Sequence, residues 1–125
     1  MTSPFTIAVV DDDQRILESL RNLLESADHS VRPFTSAAAL FESGCIAEID
    51  CLISDIDMPV MDGFELFRAA HAARPELPII LITGHPEMLN RLPHMEPGRY
   101  RLFKKPFNGS ELLTAISEAL LRGPE

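Results

Sequence analysis

The chain alternates short apolar runs with amphipathic stretches, and this alternation predicts its elements. Thr6-Ile7-Ala8-Val9-Val10 and Cys51-Leu52-Ile53-Ser54 are apolar, too short for helices and bounded by breakers, the pattern of short buried strands. Residues 30–34, 78–82 and 100–103 predict three more strands. Between the strands the apolar period becomes helical. Ile16, Leu17, Leu20, Leu23 and Leu24 share one stripe of a helix over 14–27, with Asp13 placed as its N-cap. Ser36 caps a helix over 37–43, which Gly44 stops. Asp62 and Glu65 form a capping-box pair ahead of a helix that ends near residue 73. Asn108 and Glu111 repeat the device before a last helix, with Leu112, Leu113, Ile116, Ala119 and Leu120 facing inward.

One connection breaks the rhythm. Residues 87–98 should hold the helix between the fourth and fifth strands, yet Pro93 and Pro97 interrupt them. An irregular fourth helix is expected, with one or two turns before Pro93. Five βα units predict an α/β fold: a parallel sheet covered on both faces. The five-stranded doubly wound order is 2-1-3-4-5, and its ligand crevice lies where strands one and three part.

Composition narrows the class. A chain of 125 residues suits one domain with one core, expected here as a single domain over 1–125 with its core over 5–122. The net charge of −8 argues against direct contact with nucleic acid, which needs clustered Lys and Arg. No apolar stretch reaches the ~18–20 residues of a membrane span, and no basic-then-apolar leader opens the chain. Cys45 and Cys51 are not a C-x-x-C pair and read as small apolar residues in a reducing compartment, so a cytoplasmic setting is expected.

The candidate chemistry is acidic. Asp11-Asp12-Asp13 ends the first apolar run, and Asp55 ends the run that begins at Cys51. In the order 2-1-3-4-5 those strands are neighbours, so the carboxylates meet at one sheet edge. Like charges raise one another's pKa, so a site that keeps them together suits a hard cation or a charged ligand.

Five short pieces carry a family resemblance: Val10-Asp11-Asp12-Asp13, Leu52-Ile53-Ser54-Asp55-Ile56-Asp57-Met58-Pro59, Met61-Asp62-Gly63, Leu81-Ile82-Thr83-Gly84 and Lys105-Pro106-Phe107. In this order and spacing the chain resembles the receiver domain of two-component response regulators, with a CheY-like, flavodoxin-like fold. The run Ile82-Thr83-Gly84-His85 is most similar to FixJ-type receivers. The resemblance implies that Asp55 is the phosphoacceptor. It implies Mg²⁺ held by Asp11, Asp12, Asp55 and the backbone carbonyl of Asp57. Thr83 would bond a phosphoryl oxygen, and Lys105 would pair with the carboxylate and then the phosphoryl group. The Lys105–Pro106 peptide would be cis, which the small X–Pro penalty allows. The phosphodonor would be a histidine kinase or a histidine phosphotransfer protein, and the output a protein or domain outside this chain. Such a domain is a switch that assists its own phosphoryl transfer and hydrolysis, not an enzyme in the ordinary sense.

The resemblance has departures. Leu102 stands where the family usually carries an aromatic switch residue, and Pro93 and Pro97 interrupt a helix that is usually regular. Segment 84–98 is therefore expected to become ordered on activation. Asp57 and His85, two residues after Asp55 and Thr83, are candidates for tuning the phosphoryl lifetime by bordering the path of the attacking water. Each residue also has an ordinary explanation: acids favour helix starts, Asp55 could be a turn residue, Thr83 a loop cap and Lys105 a solvated lysine. Two rivals stand beside the receiver. Asp55-Ile56-Asp57 mimics the D-x-D nucleophile motif of haloacid-dehalogenase-like phosphatases, and a degenerate receiver would act only as a constitutive interaction module.

Overall fold

The computed structural model describes residues 5–58, 61–84, 101–105 and 107–122. Five strands, β1 (Thr6–Val10), β2 (Ser30–Phe34), β3 (Cys51–Asp55), β4 (Ile79–Thr83) and β5 (Arg101–Lys104), form one parallel sheet in the order β2-β1-β3-β4-β5. The described helices are α1 (Gln14–Ser26), α2 (Ala37–Ser43), α3 (Gly63–Ala73) and α4 (Gly109–Arg122). The predicted fold class and strand order are those observed.

Strand alternation divides the core between two layers. Ala8, Val10, Leu52 and Leu81 face α2 and α3, where Leu40, Phe64, Leu66 and Phe67 pack on them. Ile7, Val9, Ile53 and Ile80 face α1 and α4, where Leu20, Leu24, Leu112 and Ile116 close the other layer. β3 and β4 are buried throughout, as central strands of a doubly covered sheet must be. β2 lies at an edge and tolerates Pro33, whose missing N–H would break a central ladder.

Local signals position the helices as expected. Asp13 accepts from the Arg15 N–H at 2.9 Å and Ser36 from the Ala39 N–H at 3.1 Å. Gly44 stops α2 with φ +74°. Both arms of the Asp62–Glu65 capping box are made, at 3.0 and 3.2 Å. Asn108 accepts from the Glu111 N–H at 3.1 Å. In α4, Leu112 and Ile116 are fully buried, whereas Leu113, Ala119 and Leu120 are only half-buried because they flank the stripe.

Boundaries shift by a residue for identifiable reasons. α1 ends at Ser26, with the Ala27 N–H turning back to Leu24 O at 3.1 Å. β4 starts at Ile79 because Pro78 has no N–H to give the ladder, although its carbonyl accepts from Leu52 at 3.0 Å. β3 runs one residue further than predicted and takes in Asp55. A 3-10 turn over Cys45–Ala47 was not foreseen. Arg74 fastens it, donating from Nη1 to the carbonyls of Ile46 at 2.8 Å and Ile49 at 2.7 Å. Both cysteines are buried and free, and burial pushes the Cys51 thiol up to about 12, so it behaves as a small apolar residue. The expectations for the irregular fourth helix over 87–98, Pro93, Pro97, His85 and the Lys105–Pro106 peptide involve residues outside the described ones. Among the described residues no helix is long and apolar enough to cross a membrane.

Candidate functional site

The parallel order brings the carboxyl ends of β1 and β3 together, and with them the acids. The register pairs Val10 with Ser54, so Asp11 and Asp55 follow side by side. Asp11, Asp12 and Asp55 each offer a carboxylate oxygen within 4.8 Å of the others. Asp11 and Asp55 are 2% and 3% exposed, while Asp12 faces solvent. Asp11 is held in place by the Asp13 N–H, which donates to Oδ1 at 2.9 Å. Asp55 is backed by α3. A Cβ at Gly63 would lie 2.6 Å from Asp55 O and from Ile56 Cα, so the helix start can approach the strand end only with glycine there.

Lys105 closes the cluster from the end of β5. Its ammonium stands 3.4 Å from Asp11 Oδ2 and 3.3 Å from Asp55 Oδ1. It completes a hydrogen bond to Asp11 and meets buried Asp55 Oδ1 as an ion pair, and that oxygen has no hydrogen bond of good geometry among the described residues. Burial raises the Asp55 pKa to about 6, with the Asp11 charge adding to the shift and Lys105 opposing it. Asp11 is raised too, again chiefly by burial. Burial works against the Lys105 charge, but Asp55 and Asp11 together outweigh it and its pKa is raised. Three carboxylates and one ammonium leave a net negative charge in a half-dry crevice. All-oxygen donors, a buried carboxylate oxygen with no hydrogen bond among the described residues and excess negative charge fit a hard divalent cation.

Thr83 and Asp57 form the other half of the crevice. The β3–β4 register pairs Asp55 with Ile82, and the Ile56 N–H carries the ladder on to Ile82 O at 2.8 Å. Thr83 is fully buried at the end of β4. Its hydroxyl donates to Asp57 Oδ2 at 3.2 Å, and the Gly84 N–H donates to the same oxygen at 3.2 Å. Thr83 O accepts from the Lys105 N–H at 2.7 Å, which ties the ends of β4 and β5 together.

Asp11, Asp12, Asp55, Asp57, Thr83 and Lys105 thus gather at one sheet edge: the strand pattern led to the meeting of Asp11, Asp12 and Asp55, and the family resemblance added Asp57, Thr83 and Lys105. Leu102 is half-buried and packs against the core layer of α2 and α3. His85 is outside the described residues. Two features were missed. The Asp57 side chain holds Thr83 and Gly84, partners 26 and 27 residues away that leave no trace in the local sequence. The close approach at Gly63 did leave one: glycine at the first position of a helix is a poor helix former with a reason to be there.

Fold and site together define a flavodoxin-like domain with an acidic, lysine-closed crevice at its topological switch point. The family model for the response regulator receiver domain matches residues 7–117, and the chain belongs to that family of two-component signalling domains. It is 32% identical over 125 residues to the transcriptional regulatory protein FixJ of Azorhizobium caulinodans, covering all of this chain and 59% of that protein. It is 35% identical over 119 residues to the response regulator protein TodT of Pseudomonas putida, covering 95% of this chain and 52% of that one. The chain therefore spans only about half to three-fifths of these curated relatives' length. Among solved structures, a response regulator receiver domain protein from Clostridium thermocellum superposes with a TM-score of 0.84 at 30% identity, covering 94% of this chain and 95% of that one. The BeF3-activated receiver domain of DrrB gives 0.85 at 28%, covering 96% and 100%. Asp55 ends a strand and Asp57 follows it within a domain of the receiver family, which does not favour the haloacid-dehalogenase-like reading of Asp55-Ile56-Asp57.

Proposed function

We propose that Asp55 is the phosphoacceptor of a Mg²⁺-dependent switch. The observation that carries this reading is the Asp55 carboxylate itself: buried, with Oδ1 in an ion pair 3.3 Å from a lysine ammonium and inside a three-carboxylate cluster. In the transfer an Asp55 oxygen forms a bond to phosphorus as the bond from phosphorus to the donor's leaving group breaks. The electron pair departs with that leaving group, which for a phosphohistidine donor is an imidazole nitrogen. Asp11, Asp12, Asp55 and the Asp57 backbone carbonyl are the groups that would hold the ion. When bound, Mg²⁺ neutralises the charge that otherwise keeps a carboxylate and a phosphoryl group apart. Lys105 stays with Asp55 and then pairs with the new phosphoryl oxygens. Thr83 is the hydroxyl donor for one of them.

The donor would be a histidine kinase or a histidine phosphotransfer protein, and the output a protein or domain outside this chain. Residues 1–125 would act as one cytoplasmic receiver domain, with turnover limited to its own phosphoryl transfer and hydrolysis. Incubation with acetyl phosphate and Mg²⁺, followed by mass spectrometry, should place one phosphoryl group on Asp55. An adduct elsewhere, or one undiminished in Asp55→Ala, would refute the assignment.

A further inference from the structure

Two donors at the end of β4 converge on one carboxylate oxygen. The Thr83 hydroxyl and the Gly84 N–H both reach Asp57 Oδ2 at 3.2 Å. A hydroxyl and a backbone N–H from consecutive residues, aimed at one point, make a small anion-binding concavity. That concavity borders Lys105: the Lys105 N–H bonds Thr83 O at 2.7 Å, and a Cβ at Gly84 would sit 3.7 Å from Lys105 Cδ. Donor pair and ammonium thus serve one crevice, and the anion that fills the pair is the protein's own Asp57. A hydroxyl has a single proton to donate. Thr83 cannot give it to Asp57 and to a phosphoryl oxygen at the same time.

We propose that the Asp57 side chain is an internal anion that holds the Thr83–Gly84 donor pair in the resting domain and must be displaced before that pair can bind a phosphoryl group on Asp55. The inference rests on the phosphoacceptor reading above and deepens it. Asp57 is then a positioning residue that acts through Thr83. It supplies the resting state with two charge-assisted hydrogen bonds that the switched state must replace, so it biases the equilibrium towards rest. It differs from a residue that steers the attacking water, because its effect is present before any phosphoryl group arrives.

Two experiments test this. The first needs no phosphorylation. In the metal-free domain the Gly84 amide proton should be deshielded by the carboxylate and should move upfield in Asp57→Ala. An unchanged Gly84 resonance would overturn the proposal. The second titrates beryllium fluoride into Mg²⁺-loaded protein. Asp57→Asn, which keeps the shape but loses the charge, should tighten binding roughly 10-fold, the scale by which a charged acceptor outweighs a neutral one. In a Thr83→Val background the gain should shrink to roughly threefold or less, because one of the two donors that Asp57 holds is gone and only the Gly84 N–H remains. A gain that persists undiminished there would assign the effect to simple charge repulsion and overturn the proposal. Equal affinities of wild type and Asp57→Asn, with beryllium fluoride still seated at Asp55, would refute the internal anion alone. Failure of the wild type to bind beryllium fluoride would instead remove the phosphoacceptor reading, and this inference with it.

Discussion

Replacing Asp55 with Asn should stabilise the metal-free domain, although it removes the proposed phosphoacceptor. The folded-state pKa of Asp55 is about 6, against an ordinary value of 3.8. Ionising it in the folded protein therefore costs about 3 kcal/mol more than in the unfolded chain, at about 1.4 kcal/mol per pK unit. The group is 3% exposed, so solvent screening does little to reduce that figure. Asn keeps the shape and drops the charge; the attraction of Lys105 at 3.3 Å is already contained in the shifted pKa, so what reduces the gain is the imperfect fit of an amide in a site built for a carboxylate. The net gain should be roughly 1–3 kcal/mol, which at about 4 °C per kcal/mol raises Tm by some degrees for a domain of this size. The pH dependence has a definite sign. Because the folded pKa lies above the unfolded one, the folded wild type keeps a proton that the unfolded chain gives up between about pH 4 and pH 6. Wild-type stability therefore falls as pH rises through that window and stays lower above it. The Asn variant lacks this group, so its advantage should be small at pH 4, grow to pH 6 and then level off. Asp11 is shifted in the same direction, and losing the Asp55 charge beside it relaxes that shift, which adds to the same trend. Urea unfolding in EDTA at pH 4, 6 and 8 reads all of this. Saturating Mg²⁺ should then narrow or reverse the difference, since ligand binding stabilises only the protein that holds it well. An Asn variant no more stable than wild type at pH 8 without metal would refute the reasoning, as would an advantage that does not change with pH.

Asp12→Ala should weaken Mg²⁺ binding and phosphorylation together, because it removes an exposed carboxylate of the cluster and leaves the nucleophile intact; equal affinities by calorimetry would exclude it as a ligand. Gly63→Ala should destabilise by about 1–3 kcal/mol, the usual cost of overpacking, since the new methyl meets backbone atoms of Asp55 and Ile56 at 2.6 Å. It should also slow labelling of Asp55 by acetyl phosphate, and normal stability with normal labelling would show that α3 can retreat freely.

Much of the fold was legible because its signals are local. The apolar runs, the caps at Asp13, Ser36, Asp62 and Asn108, and the αL stop at Gly44 all act within a few residues. The apolar runs and helical stripes likewise made a doubly wound sheet the natural arrangement, and the acids at two strand ends marked its crevice. Strand ends were less legible. Whether Asp55 belongs to β3 depends on the Ile56 N–H finding Ile82 O on a neighbouring strand, a bond that no local pattern encodes.

The sequence by itself therefore determined the alternating elements, the identity of the crevice and the residues available to it. Only the tertiary structure decided what those residues do to one another. Burial, not composition, lifts the Asp55 pKa, because the field around a carboxylate depends on what excludes water from it. The β3–β4 register sets Asp57 opposite Thr83 and Gly84, and a slip of one residue would turn the ends of those strands to opposite faces. Arg74 reaches the carbonyls of Ile46 and Ile49 only because α3 packs beside the turn that holds them. Hydrogen bonds and desolvation act over a few ångströms in space, and the chain brings such neighbours together from 25 or more residues apart.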